Sequence, residues 1–312
     1  MPNKKIVKQK VVVILGTTSA GKTSLAVDLA LDFKGEIIGA DSRQVYKGLD
    51  IGTGKDLGEY KRGRKSVAHH LIDVADPRRQ FNLSRYQKLT YSAIKKISDQ
   101  GRLPFLVGGS GLYLQAIVEN FNLPSGRFSA AQRLVWSKLS AAQLLKKITK
   151  LKPEFAERLN NSDKNNVRRL VRYLEIIKSG TNLGEKNKSP YDWLIIGVKL
   201  DESELKQKIN QRLRHRLDRE GLVLEVQRLR ESGLSWKKLK SFGLEYKFVS
   251  QFLLAELPYE LMVEKLETAL WRFAKRQLVW FKRWEKQGCQ IIWVKDKKSA
   301  SRYIKKWLKK SP

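Results

Sequence analysis

The chain has 312 residues, of which 41% are hydrophobic. It is long enough for one large or two modest domains with a buried core, and this ordinary hydrophobic fraction means that disorder does not explain its charge. Its 63 Lys and Arg outnumber 31 Asp and Glu, so the formal net charge is +32. A charge of this size points to a polyanionic partner, most often nucleic acid, or else to a Lys-rich composition that only keeps the surface solvated.

Other features narrow the class of protein. The basic residues are spread along the whole chain rather than confined to one amphipathic helix, which argues against a membrane-surface role. No apolar run approaches the roughly 18 residues of a membrane span. The first apolar run of the chain is also too short for the hydrophobic region of a signal peptide. Cys289 is the one cysteine, so an intramolecular disulfide is excluded. We therefore expect a soluble, cytoplasmic protein with no membrane partner.

The first elements are a strand, a loop and a helix. The apolar run Val11–Leu15 predicts a buried strand, and helical spacing begins at Ser24. Between them lies GTTSAGKT, which fits the phosphate-loop pattern G-x-x-x-x-G-K-[ST], in which backbone N–H groups surround an anion at a helix N-terminus. Its residues are Gly16, Thr17, Thr18, Ser19, Ala20, Gly21, Lys22 and Thr23. The pattern predicts that Lys22 reaches the terminal phosphates and that the Thr23 hydroxyl binds Mg²⁺.

Further apolar runs at 36–40, 103–107 and 194–198 predict three more strands. Strands that alternate with helical stretches predict an α/β protein with a parallel sheet, whose ligands lie beyond the carboxyl ends of the strands. Residues 124–163 carry only helical signals. We therefore expect a core whose first part is 1–123, a lid-like helical insertion at 124–163, and a second core part, 164–312, that carries basic helices.

A polar block, DSRQVYKGLDIGTGK, runs from Asp41 to Lys55 where the second strand ends. A carboxylate beside a phosphate loop can be a metal ligand or a general base. Asp followed by Ser before a helical stretch is equally typical of a helix N-cap. The residue pattern leaves both readings of Asp41 open.

The third strand ends in Gly108-Gly109-Ser110-Gly111, which exposes N–H groups and a hydroxyl. Nucleotide hydrolases often carry an acidic residue for Mg²⁺ at such a strand end, so its absence weakens an ATPase interpretation. The glycines could also form only a tight turn. The adjacent His69 and His70 point apart on a strand, which favours a structural or substrate-edge role over a metal site.

Two helical stretches combine apolar and basic residues. In 166–178 the residues Arg168, Arg169 and Arg172 lie off an apolar face, and 271–284, WRFAKRQLVWFKRW, interleaves basic and aromatic side chains. Most of these aromatics are expected in the core. The basic residues could follow a nucleic-acid backbone or could be a solvated face.

Four segments in this order, GTTSAGKT, DSRQVYKGLDIGTGK, HHLIDVADP and LVGGSGLYLQA, resemble the tRNA dimethylallyltransferase (tRNA isopentenyltransferase) family. The resemblance covers 16–117, 166–177 and 243–284. It implies a P-loop NTPase-like parallel-sheet core with a helical insertion and a helical C-terminal part. It also implies transfer of a dimethylallyl group to N6 of the adenine 3′ to the tRNA anticodon, position 37. The phosphate loop would then hold the diphosphate of dimethylallyl diphosphate, with Mg²⁺, rather than a nucleoside triphosphate.

The resemblance also implies roles for residues. Asp41 would be the base or hydrogen-bond acceptor toward N6, and Ser110 would help to bind the diphosphate in the transition state. A basic residue of the insertion, Arg133 or alternatively Arg127, would assist the diphosphate. The segments implied to contact the tRNA are Asp41, Ser42, Arg43 and Gln44; Arg168, Arg169, Leu170, Val171 and Arg172; Lys240, Ser241, Phe242, Gly243, Leu244 and Glu245; and Lys275, Arg276, Gln277, Leu278, Val279, Trp280, Phe281 and Lys282.

The chain departs from the family pattern in places. Thr17 stands where proline is usual, the order Ser19-Ala20 is inverted, and Gly-Leu-Glu-Tyr-Lys begins at Gly243 where many relatives have Gly-Tyr-Arg or Gly-Tyr-Lys. Two other functions stay open on sequence. A phosphate-loop kinase of a small metabolite does not explain the charge, and a non-catalytic RNA-binding protein does not explain the Asp41 and Ser110 blocks. We expect a monomer.

Overall fold

The structure is a computed structural model that describes residues 8–123, 129–180 and 187–310. The chain forms two compact units. The first combines Met1–Val118 with Pro190–Pro312, and the second is Glu119–Ser189. The second unit is therefore inserted into the first along the chain.

The first unit is built on a parallel sheet of six described strands, in the order β5-β2-β6-β1-β7-β8. Two further strands, β3 and β4, pair as a separate antiparallel hairpin. The strands are β1 Gln9–Gly16, β2 Gly35–Gly39, β3 Lys61–Arg62, β4 Lys65–Ser66, β5 His69–His70, β6 Leu103–Gly108, β7 Tyr191–Val198 and β8 Ile292–Val294.

Helices surround the sheet and form the second unit. They are α1 Lys22–Asp32, α2 Leu83–Asp99, α3 Gly111–Val118, α4 Ala130–Ser137, α5 Ala141–Leu151, α6 Pro153–Glu157, α7 Asn161–Lys164, α8 Val167–Lys178, α9 Glu202–His215, α10 Leu222–Glu231, α11 Trp236–Leu239, α12 Leu244–Leu253, α13 Tyr259–Lys286 and α14 Lys297–Lys309. A 3₁₀ turn covers Leu57–Tyr60, and a π-helical turn, Arg216–Glu220, follows α9 directly.

The central strand shows why the sheet is buried on both faces. Val11, Val13 and Leu15 pack into one apolar cluster, and Val12 and Ile14 pack into the other. Because side chains alternate along a strand, a continuous apolar run supplies both faces of a parallel sheet that helices cover. The predicted α/β class and the four predicted strands are confirmed.

The second unit has its own apolar core, to which α4, α5, α6 and α8 contribute. It extends beyond the predicted insertion at 124–163 on both sides. In particular, α8 belongs to it rather than to the core, because Leu170, Val171 and Leu174 pack with Trp136 and Leu144. An amphipathic pattern shows that a helix has an apolar face, but it does not show what packs against that face.

Among the described residues, no helix is both long and apolar enough to cross a membrane. The longest, α13, has 28 residues and carries exposed Lys and Arg along its length.

Candidate functional site

A cavity of about 640 Å³ lies in the first unit beyond the carboxyl ends of β1, β2 and β6. Its walls include Thr18, Lys22 and Thr23 after β1, Asp41 after β2 and Ser110 after β6. The helices α9, α12 and α13 complete the lining. This volume lies in the usual range for sites that bind small molecules, and the place is the one expected for a parallel α/β sheet.

The phosphate loop has the conformation that its sequence requires. Ser19 and Gly21 have positive φ angles, 60° and 79°, so the chain turns sharply before α1 begins at Lys22. Gln277 of α13 supports the loop from outside, because its side-chain oxygen accepts a hydrogen bond from the N–H of Thr18 (2.8 Å). The result is a helix N-terminus that faces the cavity, which favours an anion.

Lys22 lacks a carboxylate partner within the part of the chain that the structure describes. Its Nζ donates to the Thr17 carbonyl, at 2.5 Å. Loss of hydration and the nearby charge of Arg212 lower the pKa of Lys22 to about 8, against smaller opposite effects of Asp41 and Glu59. An ammonium group held in this way is stabilised by an incoming anion.

Asp41 has the hydrogen bonds of a cap, although a turn rather than a helix follows it, and its role as a metal ligand or base stays a prediction. Its Oδ1 accepts hydrogen bonds from the N–H groups of Arg43 (2.8 Å) and Gln44 (3.3 Å), so it does cap the turn. Its Oδ2 has no hydrogen-bond partner among the described residues, and Asp41 lines the cavity. One oxygen thus holds the turn, which leaves the other available to accept a proton.

The rest of the Asp41–Lys55 block is held in place by two buried charged residues. Lys55 donates to the Tyr46 carbonyl (2.9 Å) and to the carboxylates of Asp50 (2.7 Å) and Asp73 (2.5 Å). Glu225 of α10 accepts from the N–H groups of three successive residues, at 2.9, 2.7 and 3.0 Å. These residues are Asp50, Ile51 and Gly52. The block is therefore a rigid wall of the cavity.

Ser110 and its glycines hold the third strand end close to its neighbours. The Ser110 Oγ accepts a hydrogen bond from the N–H of Ser42 (3.1 Å). A Cβ on Gly109 would lie 2.5 Å from the Gln277 amide nitrogen, which donates to the Gly109 carbonyl (2.9 Å). A larger residue here would therefore displace the Gln277 amide from the phosphate loop and from the Gly109 carbonyl. The glycines make a tight turn, and the hydroxyl also lines the cavity.

Sequence reasoning missed two arginines that line the cavity, Arg212 of α9 and Arg216 of the π-helical turn. Arg212 donates to the Gly54 carbonyl (3.1 Å), and Arg216 donates to the Glu245 carboxylate (3.3 Å). Loss of hydration and the charge of Arg216 lower the pKa of Arg212. The one feature of the sequence that could have linked these two arginines is their spacing, because residues four apart lie on the same face of a helix.

The tRNA segments predicted at 240–245, which ends in the first turn of α12, and at 275–282 of α13 divide between cavity and core. The cavity lining includes the whole stretch 240–245 and, on α13, Arg276, Gln277 and Trp280. Lys275, Val279 and Lys282 are exposed on the helix outside the lining, and Leu278 is half-buried. The side chains of Phe242 and Phe281 are buried, although Phe242 also lines the cavity, and their contact with tRNA stays a prediction.

The remaining predicted residues belong to the second unit. Arg133 pairs with the buried carboxylate of Glu175 through two hydrogen bonds (2.5 and 3.0 Å), and Arg172 donates to the same group (3.1 Å). Arg168 and Arg169 are exposed. Leu170 and Val171 are buried in that unit's core, so their side chains are not available to RNA. The alternative residue Arg127 lies outside the described residues.

Of the two histidines, for which the sequence favoured a structural or substrate-edge role, His70 has a carboxylate partner and His69 is exposed. The His70 Nε2 lies 2.6 Å from the carboxylate of Glu36, which Arg102 also contacts. Across the described ranges, no group of three or more His, Cys, Asp and Glu side chains could hold a metal.

Comparison with known proteins identifies the family. A family model described as IPP transferase matches residues 44–284. The tRNA dimethylallyltransferase 1 of Syntrophus aciditrophicus is 41% identical over 290 residues, which are 92% of this chain and 93% of that protein. The tRNA dimethylallyltransferase 2 of Bacteroides fragilis is 38% identical over 285 residues, covering 91% of this chain and 92% of that protein.

Solved structures agree. The full-length tRNA isopentenylpyrophosphate transferase of Bacillus halodurans is 34% identical, with a TM-score of 0.69 and 96% of each chain covered. A eukaryotic dimethylallyltransferase solved in the act of modifying tRNA is 26% identical, with a TM-score of 0.75 over 92% of this chain and 74% of that one. The sequence resemblance is confirmed over most of the chain, and the protein belongs to the IPP transferase family.

Proposed function

We propose that this protein transfers a dimethylallyl group from dimethylallyl diphosphate to N6 of the adenine 3′-adjacent to the anticodon of tRNA. One observation carries the proposal: a single cavity is lined both by the helix N-terminus after the phosphate loop, which favours an anion, and by a carboxylate with one oxygen free of hydrogen bonds among the described residues. The names of the relatives support the same reaction and the tRNA substrate.

The diphosphate half of the reaction uses the phosphate loop. The allylic C–O bond breaks, its electron pair leaves with the diphosphate, and positive charge develops on carbon. Lys22 and Arg212 line the cavity without a carboxylate within 4.0 Å among the described residues. Together with the loop N–H groups they stabilise the negative charge that develops on the leaving group.

The acceptor half uses the wall that carries Asp41. A neutral exocyclic amine is a weak nucleophile until a base removes its proton as the N–C bond forms. The Oδ2 of Asp41 accepts that proton, while Oδ1 keeps the turn in place. Adenine reaches this wall only after it leaves the base stack, as in other enzymes that modify bases.

A magnesium ion fits the donor groups that are present. Mg²⁺ usually takes one or two protein ligands and completes its shell with water and substrate phosphates. Thr23 lines the cavity beside the phosphate loop, and no larger cluster of metal-binding side chains competes in the described ranges. The Thr23 hydroxyl would hold the ion, which when bound supplies positive charge to the diphosphate.

The tRNA approaches the side of the cavity that carries cations. Arg43, Lys240 and Arg276 line it, and the chain as a whole has a large positive charge. Such charges bind the phosphate backbone without regard to sequence. The part of Arg133 in assisting the diphosphate, a monomeric state and a cytoplasmic location stay predictions.

The test is direct. The full chain is incubated with Mg²⁺, bulk tRNA and dimethylallyl diphosphate labelled in the prenyl group, and the tRNA is digested to nucleosides. We expect label in N6-dimethylallyladenosine alone. A parallel sample contains ATP in place of the prenyl diphosphate. ATP turnover with no prenyl transfer would instead favour the kinase class, and tRNA binding without either reaction would favour an RNA-binding scaffold.

A further inference from the structure

Two arginines converge on one glycine of the cavity wall. Arg212 and Arg216 stand four residues apart, where α9 passes into a π-helical turn, so they share one face. A Cβ on Gly54 would lie 2.8 Å from Nη2 of Arg212 and 1.9 Å from Nη2 of Arg216. Like charges so close together repel each other, and the repulsion is stronger where water is scarce.

The two arginines have different partners. Arg216 pairs with Glu245 at 3.3 Å, and their side chains are only 7% and 14% exposed. Arg212 meets only a neutral acceptor, the Gly54 carbonyl, within the described residues. The charge of Arg216 is therefore cancelled locally, whereas that of Arg212 is available to an anion in the cavity.

Glu245 and Arg216 act on Arg212 with opposite sign. Loss of hydration and the charge of Arg216 lower the pKa of Arg212, and the charges of Glu59 and Glu245 raise it. Glu245 reaches this position because it lies in the first turn of α12, at the point where the chain reads Gly-Leu-Glu-Tyr-Lys. Glu245 and Arg216 thus form an ion pair without net charge beside Arg212.

We propose that Glu245 is a built-in counter-ion that cancels the charge of Arg216, so that Arg212 and Arg216 together present one net positive charge to the diphosphate rather than two. The inference deepens the proposed function and rests on it. Its consequence is a weaker hold on the product. An uncancelled Arg216 would bind free diphosphate more tightly and slow its release.

The proposal predicts that substitutions in this ion pair change the affinity for inorganic diphosphate in opposite directions. Glu245→Gln uncovers Arg216, so inorganic diphosphate should bind about fivefold more tightly. Arg216→Met uncovers Glu245 beside Arg212, so it should bind about fivefold more weakly. The double variant Arg216→Met/Glu245→Gln restores the wild-type charge and should bind within about twofold of wild type. These sizes are modest because the effective dielectric constant in proteins is about 20 even at buried sites.

The experiment measures binding of inorganic diphosphate to the full chain at fixed Mg²⁺ by calorimetry, and thermal unfolding with and without that ligand. Glu245→Gln should lower the Tm of the free protein, because it leaves Arg216 unpaired, yet increase the Tm gain caused by diphosphate. Matched controls change the charge of another ion pair, Arg214 of α9 with Glu267 of α13 (3.2 Å), and neither residue lines the cavity. Arg214→Met and Glu267→Gln should leave diphosphate binding unchanged.

Each other outcome overturns the inference. If both single variants weaken diphosphate binding, the pair only supports the fold. If diphosphate binding is constant and the affinity for tRNA changes, Glu245 belongs to the RNA contact. If the wild-type protein does not bind inorganic diphosphate at all, the proposed function of the phosphate loop is wrong as well. This outcome is distinguishable from the two above, in which the wild-type protein binds diphosphate.

Discussion

The hydroxyl of Ser110 accepts a hydrogen bond from the backbone N–H of Ser42, 3.1 Å away. This contact joins the loop after β6 to the turn after β2, which also carries Asp41. It therefore ties the hydroxyl predicted to assist the diphosphate to the wall that holds the predicted base. Parallel strands whose ends are neighbours make such a link natural, because β2 and β6 pair directly.

Ser110→Ala should lower the single-turnover transfer rate about tenfold, because the Ser42 N–H loses its acceptor and the turn that positions Asp41 loosens. Ser110→Thr keeps the hydroxyl and should stay within about threefold of wild type. The measurement is rapid-quench transfer at saturating tRNA and prenyl diphosphate. An alanine variant as fast as the threonine variant would show that the hydroxyl has no part in the reaction.

The pKa of Lys22, lowered to about 8, predicts a pH dependence. The free protein loses the Lys22 charge as the pH rises through that value, so its attraction for diphosphate falls. The kcat/KM for dimethylallyl diphosphate should therefore decrease by up to about tenfold between pH 7 and pH 9. The kcat should change less, because a bound diphosphate raises the pKa of Lys22 again.

The control for this prediction is Lys22→Arg. A guanidinium stays charged over the whole range, so the variant should be slower but should show no decrease above pH 8. If wild type and variant decrease alike, another group is responsible for the alkaline limb.

The local parts of the site could be predicted from the sequence. A strand followed by GTTSAGKT places Lys22 and Thr23 through contacts only a few residues apart, and the polar residues after the second and third strands, Asp41 and Ser110, line the same cavity. These predictions succeed because the carboxyl ends of parallel strands always share one edge of the sheet.

What could not be predicted depends on long-range contacts. Arg212 meets Gly54 across 158 positions of the chain, and Gln277 meets Thr18 across 259. Nothing in the local pattern of a charged helix distinguishes a residue that turns into a cavity from one that faces solvent. The edge strand β8 also has too few residues for a periodic signal.

The basic stripe of α13 has a separate test. Arg276 lines the cavity, and Lys282 is exposed on the same helix. Changing both to Ala should weaken tRNA binding and reduce the slope of log K against log salt by up to about 2, if both neutralise phosphates. A matched variant removes two exposed lysines of α14, Lys305 and Lys309, and should leave the slope as it is. Equal slopes in all three proteins would mean that the α13 stripe is only a solvated face.

Asp41→Asn separates the possible roles of Asp41. Asparagine keeps the shape and one acceptor oxygen, so the turn stays capped through the N–H groups of Arg43 and Gln44. It removes the charge that must take the N6 proton. Binding of tRNA and of prenyl diphosphate should stay nearly intact, while single-turnover transfer falls by about 10²-fold or more.

Measuring the transfer rate of the Asp41→Asn variant at several Mg²⁺ concentrations distinguishes the possible causes of its lower rate. If Asp41 served only as a cap, the asparagine variant would transfer at the wild-type rate, because both residues cap well. If it mainly held Mg²⁺, raising the Mg²⁺ concentration would restore the rate, since a weakened site fills again at higher ion concentration. A proton acceptor cannot be replaced by added metal. We therefore expect a loss that is constant across the series at saturating substrates, and a rate that rises with Mg²⁺ would assign Asp41 to the metal instead.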